Sequence, residues 1–448
     1  MTKTKTRKRG DAAAIRETAA EFFGKVRGII TPDDIIEVGM KLGAIERQRK
    51  VDLPALVQAT ILAFSPQAGT QMTAFQNYLA LAGEEIVPSS FYDRFTEGYA
   101  KLMRELAGRA LRAVRDSVPE GRDAQFGALL EHFDDVRITD STAQFLKRFA
   151  KRWARSTSKV RPAAFKAHVQ LSLRDQVPST VEITEQRLHD NKAFPEETLV
   201  AGVLHMFDLG YIDIERFVAM ALADAFFLTR LKDSHNPEIL CVRIGRGDRV
   251  ACRGVKLDDA LQAGLLQPNE DGLIEVEVQL RAKVGGCIAR VIGERDPSGG
   301  LHWYLTNVKR EVLSAQDVPE AYRIRWYIEL FFKQTKTGLG FDGIRAWNEH
   351  AVAALVYAKV IAICLARLLE LVAQEEAAQR GEYIVTQLAS VLVLSRSMGL
   401  FIAHQILAQG HGIDELERRI LLIGSVAARA RNQRREREKR RREAGLGR

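Results

Sequence analysis

The spacing of apolar side chains divides the chain into a helical part, a strand-rich part and a second helical part. Over residues 11–130 the apolar positions recur at intervals of three and four, which is the period of an amphipathic helix. Thr31 followed by Pro32 is typical of a helix start, because threonine can cap the first turn and proline suits the first helical position. The pattern predicts a domain of short helices.

From residue 131 onward, short runs of β-branched and aromatic residues replace the helical period. In residues 131–238 these runs predict strands, with a helix at ERFVAMALADA, which is typical of a mixed α/β sheet. The strand-like runs of this block are DDVRITDSTA, AAFKAHVQLSL, STVEIT, VLHMFDLGY and FFLTRL.

Residues 239–300 have a different texture, with short strands broken by turns rich in Gly, Asp and Asn, and they predict a β-rich insert. Its strand-like runs are ILCVRIG, RVACRGVKL, LIEVEVQLRA and CIARVIGE. LHWYLTNV then resumes the sheet, and residues 301–415 predict the second part of the core followed by C-terminal helices. Residues 416–448 predict a helix and a basic tail. A chain of 448 residues exceeds what one hydrophobic core normally serves, so we expect two or three domains.

The net charge of +9 is concentrated in three places. Residues 1–10 form a basic tail, and a second basic tail lies within residues 429–443. Concentrated positive charge indicates a polyanionic partner, although terminal runs of this kind are as often only solubilising tails. The third block has no acid among its basic residues and is a candidate DNA-binding patch: Lys147, Arg148, Lys151, Arg152, Arg155, Lys159 and Arg161.

The four cysteines are scattered without a CxxC pair, so the sequence predicts neither a zinc site nor a disulfide framework. No apolar segment follows the first basic residues, and a secretory signal is not expected. The apolar stretch 351–372 contains Lys359, Arg367 and Glu370, which favours a buried helix over a membrane span. These features predict a cytoplasmic protein.

One stripe of polar residues lies on the predicted helix that Pro319 opens. Tyr322, Arg325, Glu329 and Lys336 are spaced so that they fall within about 60° of one another on a helical wheel. An alternative is a solvated face on which Arg325 merely pairs with Glu329 at i,i+4.

Two aspartates follow apolar strand-like runs. Asp140 comes after VRIT and Asp208 after VLHMF, and strand ends are where α/β sheets place their sites. Either residue taken singly is better explained as a turn or helix cap than as a catalytic acid. Asp134, Asp135 and Asp190 compete for the same roles, but none of them ends an apolar strand as cleanly.

Three carboxylates would suit chemistry on a phosphodiester. Such chemistry uses two divalent cations about 4 Å apart, and Mg²⁺ prefers oxygen ligands. Arg325 could hold a DNA phosphate bidentately beside them, Lys336 could act as a point charge, and Tyr322 could donate a hydrogen bond or stack.

These motifs resemble those of the insertion sequence four family of bacterial DDE transposases. The spacing YxxRxxxExxxxxxK of the stripe is similar to the family's signature. Three further features of this chain resemble the family's other motifs. They are an acid at a strand end with small polar residues after it, an Asp-x-Gly-Tyr segment, and a downstream basic residue on a strand. They are filled by Asp140, Ser141 and Thr142, by Asp208, Gly210 and Tyr211, and by Arg230.

The resemblance implies a ribonuclease-H-like catalytic core interrupted by the β-rich insert, with residues 11–130 as a helical DNA-binding domain. It implies that Asp140, Asp208 and Glu329 bind two Mg²⁺ or Mn²⁺ ions and cut DNA. It also implies a synaptic homodimer that binds terminal inverted repeats, forms hairpinned ends and joins them to target DNA in a bacterial, nucleoid-associated setting. Some members flip a base against an insert tryptophan, for which Trp303 is the candidate, although a buried strand residue is the more ordinary interpretation.

Two alternatives remain open on the sequence. One is an inert descendant that binds DNA ends without cutting them. The other is a related metal nuclease that cuts but does not transfer strands.

Overall fold

The computed structural model describes residues 31–46, 51–63, 71–119, 126–194, 199–232, 234–296, 298–339, 343–346 and 348–380, with isolated positions in 22–29 and 410–436. The predicted tails at 1–10 and 429–443 lie almost wholly outside the described residues. Six helices come first: α1 (Pro32–Lys41), α2 (Leu53–Ile61), α3 (Gln71–Ala82), α4 (Pro88–Tyr92), α5 (Glu97–Ser117) and α6 (Gly127–Leu130). Helix α1 begins as predicted, with the Thr31 side chain accepting a hydrogen bond from the Asp34 amide.

Five strands and a helix follow: β1 (Asp135–Phe145), β2 (Ala164–Ser172), β3 (Pro178–Glu185), β4 (Val203–Phe207), α7 (Ile214–Leu222) and β5 (Phe226–Arg230). β1 lies between β2, its antiparallel neighbour, and β4, its parallel neighbour, and β4 in turn pairs in parallel with β5. Helix α7 is amphipathic, and it buries Phe217 and Val218 completely.

The next block supplies β6 (Ile239–Ile244), β7 (Arg246–Gly247), α8 (Leu257–Gln262), β8 (Leu266–Gln267), β9 (Leu273–Ala282), β10 (Gly285–Arg295) and β11 (Leu301–Thr306). Three of the four strand-like runs in residues 239–300 are strands. The fourth, RVACRGVKL, is wrong as a strand, because the chain turns there and α8 begins at Leu257. β11 pairs with β5, so the nine long strands form one mixed sheet in the order β3-β2-β1-β4-β5-β11-β10-β9-β6.

The last described elements are α9 (Asp317–Arg323), α10 (Trp326–Leu339) and α11 (Glu349–Arg380). The sequence predicted a single helix through α9 and α10, and that prediction is wrong: the helix breaks at Ile324 and Arg325. Both residues donate backbone hydrogen bonds three residues back, which tightens the chain there without reversing its direction. Helix α11 is apolar and long enough to cross a membrane, yet 89% of its most apolar window is buried inside the protein, which is typical of a core helix.

The chain divides into two compact units, one of residues 118–333 and one that joins residues 1–117 to residues 334–448. In the first, α7 packs against β9 and β10 over a continuous apolar core. In the second, α11 packs on α5 and α2, and the buried charges of Arg367 and Glu370 pair at 3.0 Å.

Candidate active site

Asp140 and Asp208 lie side by side on neighbouring parallel strands. β1 and β4 are paired in a register that ends with Thr139 opposite Phe207, so the next residue on each strand is one of the two aspartates. Asp208 keeps an extended backbone, with φ −78° and ψ 162°, and so continues the line of its strand. Neighbouring strands are about 4.8 Å apart and residues in register share a face, so both carboxylates lie on one side of the sheet.

The sequence predicted Asp140 at the end of a strand, and that prediction is wrong, because Asp140 lies inside β1. β1 continues to Phe145, because its antiparallel pairing with β2 runs on from Asp140 opposite Val169 to Phe145 opposite Ala164. What ends beside Asp140 is the parallel ladder with β4. The aspartate therefore stands at the mouth of the cleft where two parallel strands part.

Tyr322 attaches helix α9 to this cleft. Its hydroxyl donates a hydrogen bond to the carbonyl oxygen of Phe207 at 3.1 Å, one residue before Asp208. The side chain is buried, and its ring packs edge-on against Tyr304 with centroids 5.5 Å apart. The hydroxyl proton is therefore already engaged within the protein, which leaves the ring, rather than a donated hydrogen bond, for any contact with DNA.

Arg325 connects the first and third predicted acids. Its Nη2 atom donates to Oε1 of Glu329 at 2.7 Å, and its Nη1 atom lies 3.6 Å from Oδ2 of Asp140. The arginine side chain is 17% exposed, whereas that of Glu329 is 45% exposed. The pairing of Arg325 with Glu329 is thus present, but it belongs to a half-buried charged cluster and not to a solvated helix face.

The electrostatics of the cluster are dominated by burial. Burial raises the pKa of Asp140 to about 6, and the negative charges of Asp208 and Glu329 add to this, while the Ser141 amide and Arg325 oppose it. Burial likewise raises the pKa of Tyr322 to about 12. Burial opposes the charge of Arg325, but its hydrogen bond to Glu329 and the nearby negative groups outweigh this and raise the pKa of the guanidinium.

The donor chemistry of the cluster fits a hard divalent cation. Asp140, Asp208 and Glu329 offer only carboxylate oxygens, and the repulsion that raises the pKa of Asp140 is what a bound cation would relieve. Arg325 supplies that positive charge in this structure. In the described part of the chain no three His, Cys, Asp or Glu side chains are drawn together closely enough to hold a metal, so the three carboxylates would have to come closer together to share one.

A pocket of about 460 Å³ opens beside the cluster. Its walls combine cationic and aromatic side chains: Arg230, His302, Tyr304, Tyr322, Arg323, Arg325 and Trp326. Arg230 comes from the end of β5, and its guanidinium lies 3.1 Å from Nδ1 of His302. Trp326 is 56% exposed although it is large and apolar. Positive charge and the exposed ring of Trp326 together suit a nucleotide phosphate and base.

Two tryptophans, of which only Trp326 lines this pocket, correct the sequence reasoning about base flipping. Trp303, the base-flipping candidate, lies opposite Gly293 in the β10–β11 pairing and covers it with its ring, so it is a packed strand residue. Trp326 was not singled out, although it directly follows Arg325 in the sequence. Its position one residue off the polar stripe was the available signal.

A second layer of polar groups supports the two aspartates. Asp190, one of the competing acids, accepts hydrogen bonds from the hydroxyl of Ser141 at 3.1 Å and from Nζ of Lys166 at 2.8 Å. His168 on the same face of β2 contacts the hydroxyl of Tyr211 at 2.9 Å. Burial lowers the pKa of this histidine to about 4, although Asp190 opposes the shift, so it is neutral at pH 7.

Sequence reasoning missed Lys166 and His168. The signal was their alternation with buried residues in β2, because charged or polar side chains inside a buried strand need partners. Among the other competing acids, Asp135 begins β1 and pairs with Arg137 at 3.1 Å, which is a structural role.

The other residues predicted to bind DNA belong to other segments of the chain. Lys147, Arg148, Lys151 and Arg152 are exposed in the segment between β1 and β2. Arg155 is engaged by Glu185 through two hydrogen bonds of 2.8 and 3.0 Å. Lys336 lies on α10, in the part of that helix that belongs to the unit joining residues 1–117 to residues 334–448.

Comparison with known proteins gives a consistent family. Residues 131–365 match the family described as the transposase DDE domain. The transposase for insertion sequence element IS231F of Bacillus thuringiensis subsp. israelensis is 23% identical over 410 residues, which covers 83% of this chain and 85% of that protein. The IS231B transposase of Bacillus thuringiensis subsp. berliner is 22% identical over 395 residues, covering 79% and 81%.

Two further similarities are a relative that aligns over a shorter length and a solved structure. A putative transposase of Sinorhizobium fredii is 26% identical over 236 residues, covering 52% of this chain and 60% of that protein. The cryo-EM structure of a piggyBac transposase synaptic complex with hairpin DNA aligns with a TM-score of 0.43 and 7% identity, covering 90% of this chain and 85% of that chain.

Proposed function

Because this chain belongs to the transposase DDE domain family and is a transposase of an insertion element similar to the insertion sequence four group, we propose how its residues act on DNA. Asp140, Asp208 and Glu329 are the catalytic acids. They support cleavage at the ends of the element and transfer of the freed 3′ strands into target DNA, through hairpinned ends.

One observation carries the assignment. The parallel register sets Asp140 beside Asp208, and Arg325 reaches from Asp140 to Glu329, so three acids far apart in sequence share one charged cluster. A largely buried carboxyl with a raised pKa, as at Asp140, opposes stability when it is ionised, and such groups are found more often at functional sites. The unfavourable burial of this carboxyl is explained if the cluster takes part in a reaction.

The proposed cofactor is a pair of Mg²⁺ or Mn²⁺ ions held by the same three carboxylates. Bound there, the ions would activate the attacking oxygen and stabilise the leaving oxygen of the phosphodiester. The role proposed for the protein side chains around the carboxylates is to orient the DNA. Arg230, Arg323 and Arg325 line the pocket as phosphate-binding groups, Trp326 offers a ring for a base, and Lys336 is proposed to bind a phosphate as a point charge.

The proposed architecture is a ribonuclease-H-like core interrupted by a β-rich insert. The half of the sheet made by β3-β2-β1-β4-β5 carries both aspartates, and residues 239–300 lie between β5 and β11, which supports this interpretation. The helices of residues 11–130 are proposed to bind the terminal inverted repeats. A homodimer would hold two ends together, in a bacterial cytoplasm where the nucleoid supplies the target.

The test is an end-cleavage assay with the full chain. A labelled duplex of the element's own end is incubated with Mg²⁺, and nicked, hairpinned and joined products are separated on a denaturing gel. We expect all three with the unaltered chain, and none with Glu329→Gln, while end binding stays within about twofold because the substitution removes only one charge.

Each of the other outcomes would indicate a different function for this chain. Binding without any cleavage by the unaltered chain would indicate an inert DNA-binding descendant. Cleavage without hairpins or joining would indicate a metal nuclease. Cleavage that survives Glu329→Gln would contradict the assignment of the third acid.

A further inference from the structure

The segment between β1 and β2 exposes large apolar side chains among basic ones. This segment, residues 146–163, is called the cationic loop below. Phe149 lies on its short 3-10 helix, Arg148–Arg152, and is 77% exposed, and Val160 is 90% exposed. An exposed phenylalanine offers apolar area that a partner can bury, and the surrounding charge indicates what that partner is.

The loop holds Phe149 in a fixed position. Ala150, directly after Phe149, and Ala154, four residues further on, are fully buried. The Ser156 amide donates to the Pro162 carbonyl at 3.0 Å, and the Ala164 amide donates to the Ala154 carbonyl at 3.0 Å, so the loop is closed by its own backbone.

Neighbouring side chains brace the base of the loop from outside. Arg155 is paired with Glu185 through both carboxylate oxygens, and the Ser156 hydroxyl donates to Gln186 at 2.7 Å. A rigid loop loses little conformational entropy when a partner binds to it. The exposed ring is therefore presented ready for contact.

The charge around the ring identifies the kind of partner. Lys147, Arg148, Lys151 and Arg152 are exposed on both sides of Phe149, and the loop contains no acidic residue. Within the described residues the one recorded ion pair from this loop to a carboxylate is that of Arg155 with Glu185. Four unneutralised cations around an apolar ring complement a nucleic acid, whose phosphates are anionic and whose base steps are apolar.

The loop is connected directly to the candidate active site. β1 runs without interruption from Asp140 to Phe145, where the loop begins. Five residues of strand span about 17 Å, which is the length of about five base pairs of duplex DNA. A duplex with its cleavage point at the acids can therefore reach the loop.

We propose that Phe149 is an apolar wedge that inserts between base pairs of the bound duplex, at least about five base pairs from the cleavage point. The flanking Lys147, Arg148, Lys151 and Arg152 bind the phosphates on either side of the opened step. This inference rests on the proposed function, because it takes the cleaved duplex as the partner. The wedge fixes the register of the DNA by distorting it, as apolar wedges do in other DNA-binding proteins.

The test uses the full chain and a duplex of the element's own end, with 2-aminopurine placed at one position after another. Binding is measured in EDTA, so that cutting does not contribute to the signal. We expect a fluorescence increase at one or two adjacent positions, because an unstacked 2-aminopurine is no longer quenched. Phe149→Ala should remove this increase and weaken binding roughly 5- to 100-fold, the loss typical of one stacking contact.

Two control variants separate the ring from its surroundings. Val160→Ala removes an even more exposed apolar side chain from the same loop, and it should keep both the fluorescence increase and the affinity. Lys151→Ala should keep the increase but reduce the slope of log affinity against log salt by about one, because it removes a single phosphate contact.

The outcomes also separate this inference from the proposed function. If the unaltered chain gives no increase at any position, or if Phe149→Ala gives the same increase, the wedge is overturned. Cleavage of the same duplex in Mg²⁺ would then leave the proposed function standing. Equal losses from Phe149→Ala and Val160→Ala would also overturn it, since the loop would then act as an unspecific apolar surface.

Discussion

The guanidinium of Arg325 donates to the carboxylate of Glu329 across 2.7 Å, one helical turn further along the chain. The same guanidinium lies 3.6 Å from Asp140. In this arrangement the arginine neutralises two acids that are proposed to hold metal ions, so arginine and metal compete for the same oxygens. DNA phosphate offers Arg325 another anionic partner, and binding of DNA and metal should therefore be coupled.

Arg325→Ala should strengthen Mn²⁺ binding to the DNA-free chain by about tenfold, because a hydrogen bond between charged groups no longer has to be broken. Isothermal titration calorimetry of Mn²⁺ into the two proteins at pH 8 measures this directly. Arg323→Ala removes a neighbouring arginine that pairs with Glu294 instead, and it should leave the affinity unchanged. Weaker Mn²⁺ binding by Arg325→Ala would contradict the competition.

Asp140→Asn should stabilise the protein at pH 8 by about 1 to 3 kcal/mol, because the folded chain no longer has to ionise a buried carboxyl. The sign follows from the raised pKa: the folded state binds more protons than the unfolded state between the ordinary aspartate pKa and about 6. Stability of the unaltered chain is therefore lost as the pH rises through about 6.

Urea unfolding midpoints at pH 8 and pH 5 test this linkage. The advantage of Asp140→Asn should shrink to about half at pH 5 and vanish below pH 4, where both states hold the proton. An advantage that does not depend on pH would mean that the raised pKa is not its cause.

Asp190→Asn should slow end cleavage roughly 10- to 100-fold with end affinity nearly unchanged, because the group that orients Ser141 beside Asp140 loses its charge and its pairing with Lys166. The Mn²⁺ concentration for half-maximal cleavage should rise as well. Asp213→Asn is the matched control, since it weakens the cap of helix α7 and a hydrogen bond from Asn191 but leaves Asp190, Ser141 and Lys166 unaltered. Equal metal dependence in both variants would reduce Asp190 to a structural residue.

Arg290→Ala should destabilise the fold by roughly 3 to 5 kcal/mol, the usual cost of breaking a buried pair from one side. Arg290 is 5% exposed and donates to the fully buried Glu275 at 2.7 Å and to the carbonyls of Val308 and Leu313 at 2.8 Å each. Arg243→Ala breaks a more exposed pair, with Glu277, between β6 and β9, and it should cost much less. Urea unfolding of the full chain compares the two.

The adjacency of Asp140 and Asp208 was within reach of the sequence, because each follows an apolar run of strand length. The extent of β1 was not. Asp, Ser and Thr are residues that more often end strands or form turns, and only the pairing with β2 carries the strand through them to Phe145.

The break between α9 and α10 was also beyond sequence reasoning. A turn with bonds three residues apart keeps the helical spacing of side chains nearly intact, so the apolar pattern around Ile324 and Arg325 reads as one helix. The pairing of Arg155 with Glu185 joins residues 30 positions apart and depends on the β2–β3 pairing, which no local pattern reveals. It removes one cation from the predicted patch.

The break at Ile324 and Arg325 separates the tyrosine that is fastened to β4 from the glutamate that completes the cluster. Tyr322 cannot move without releasing Phe207, whereas Glu329 lies one turn beyond the joint. A few degrees of bending between α9 and α10 would move the carboxylate of Glu329 toward or away from Asp140 and Asp208. Such bending would change the distance from Glu329 to the two aspartates, whose positions are set by the pairing of β1 with β4.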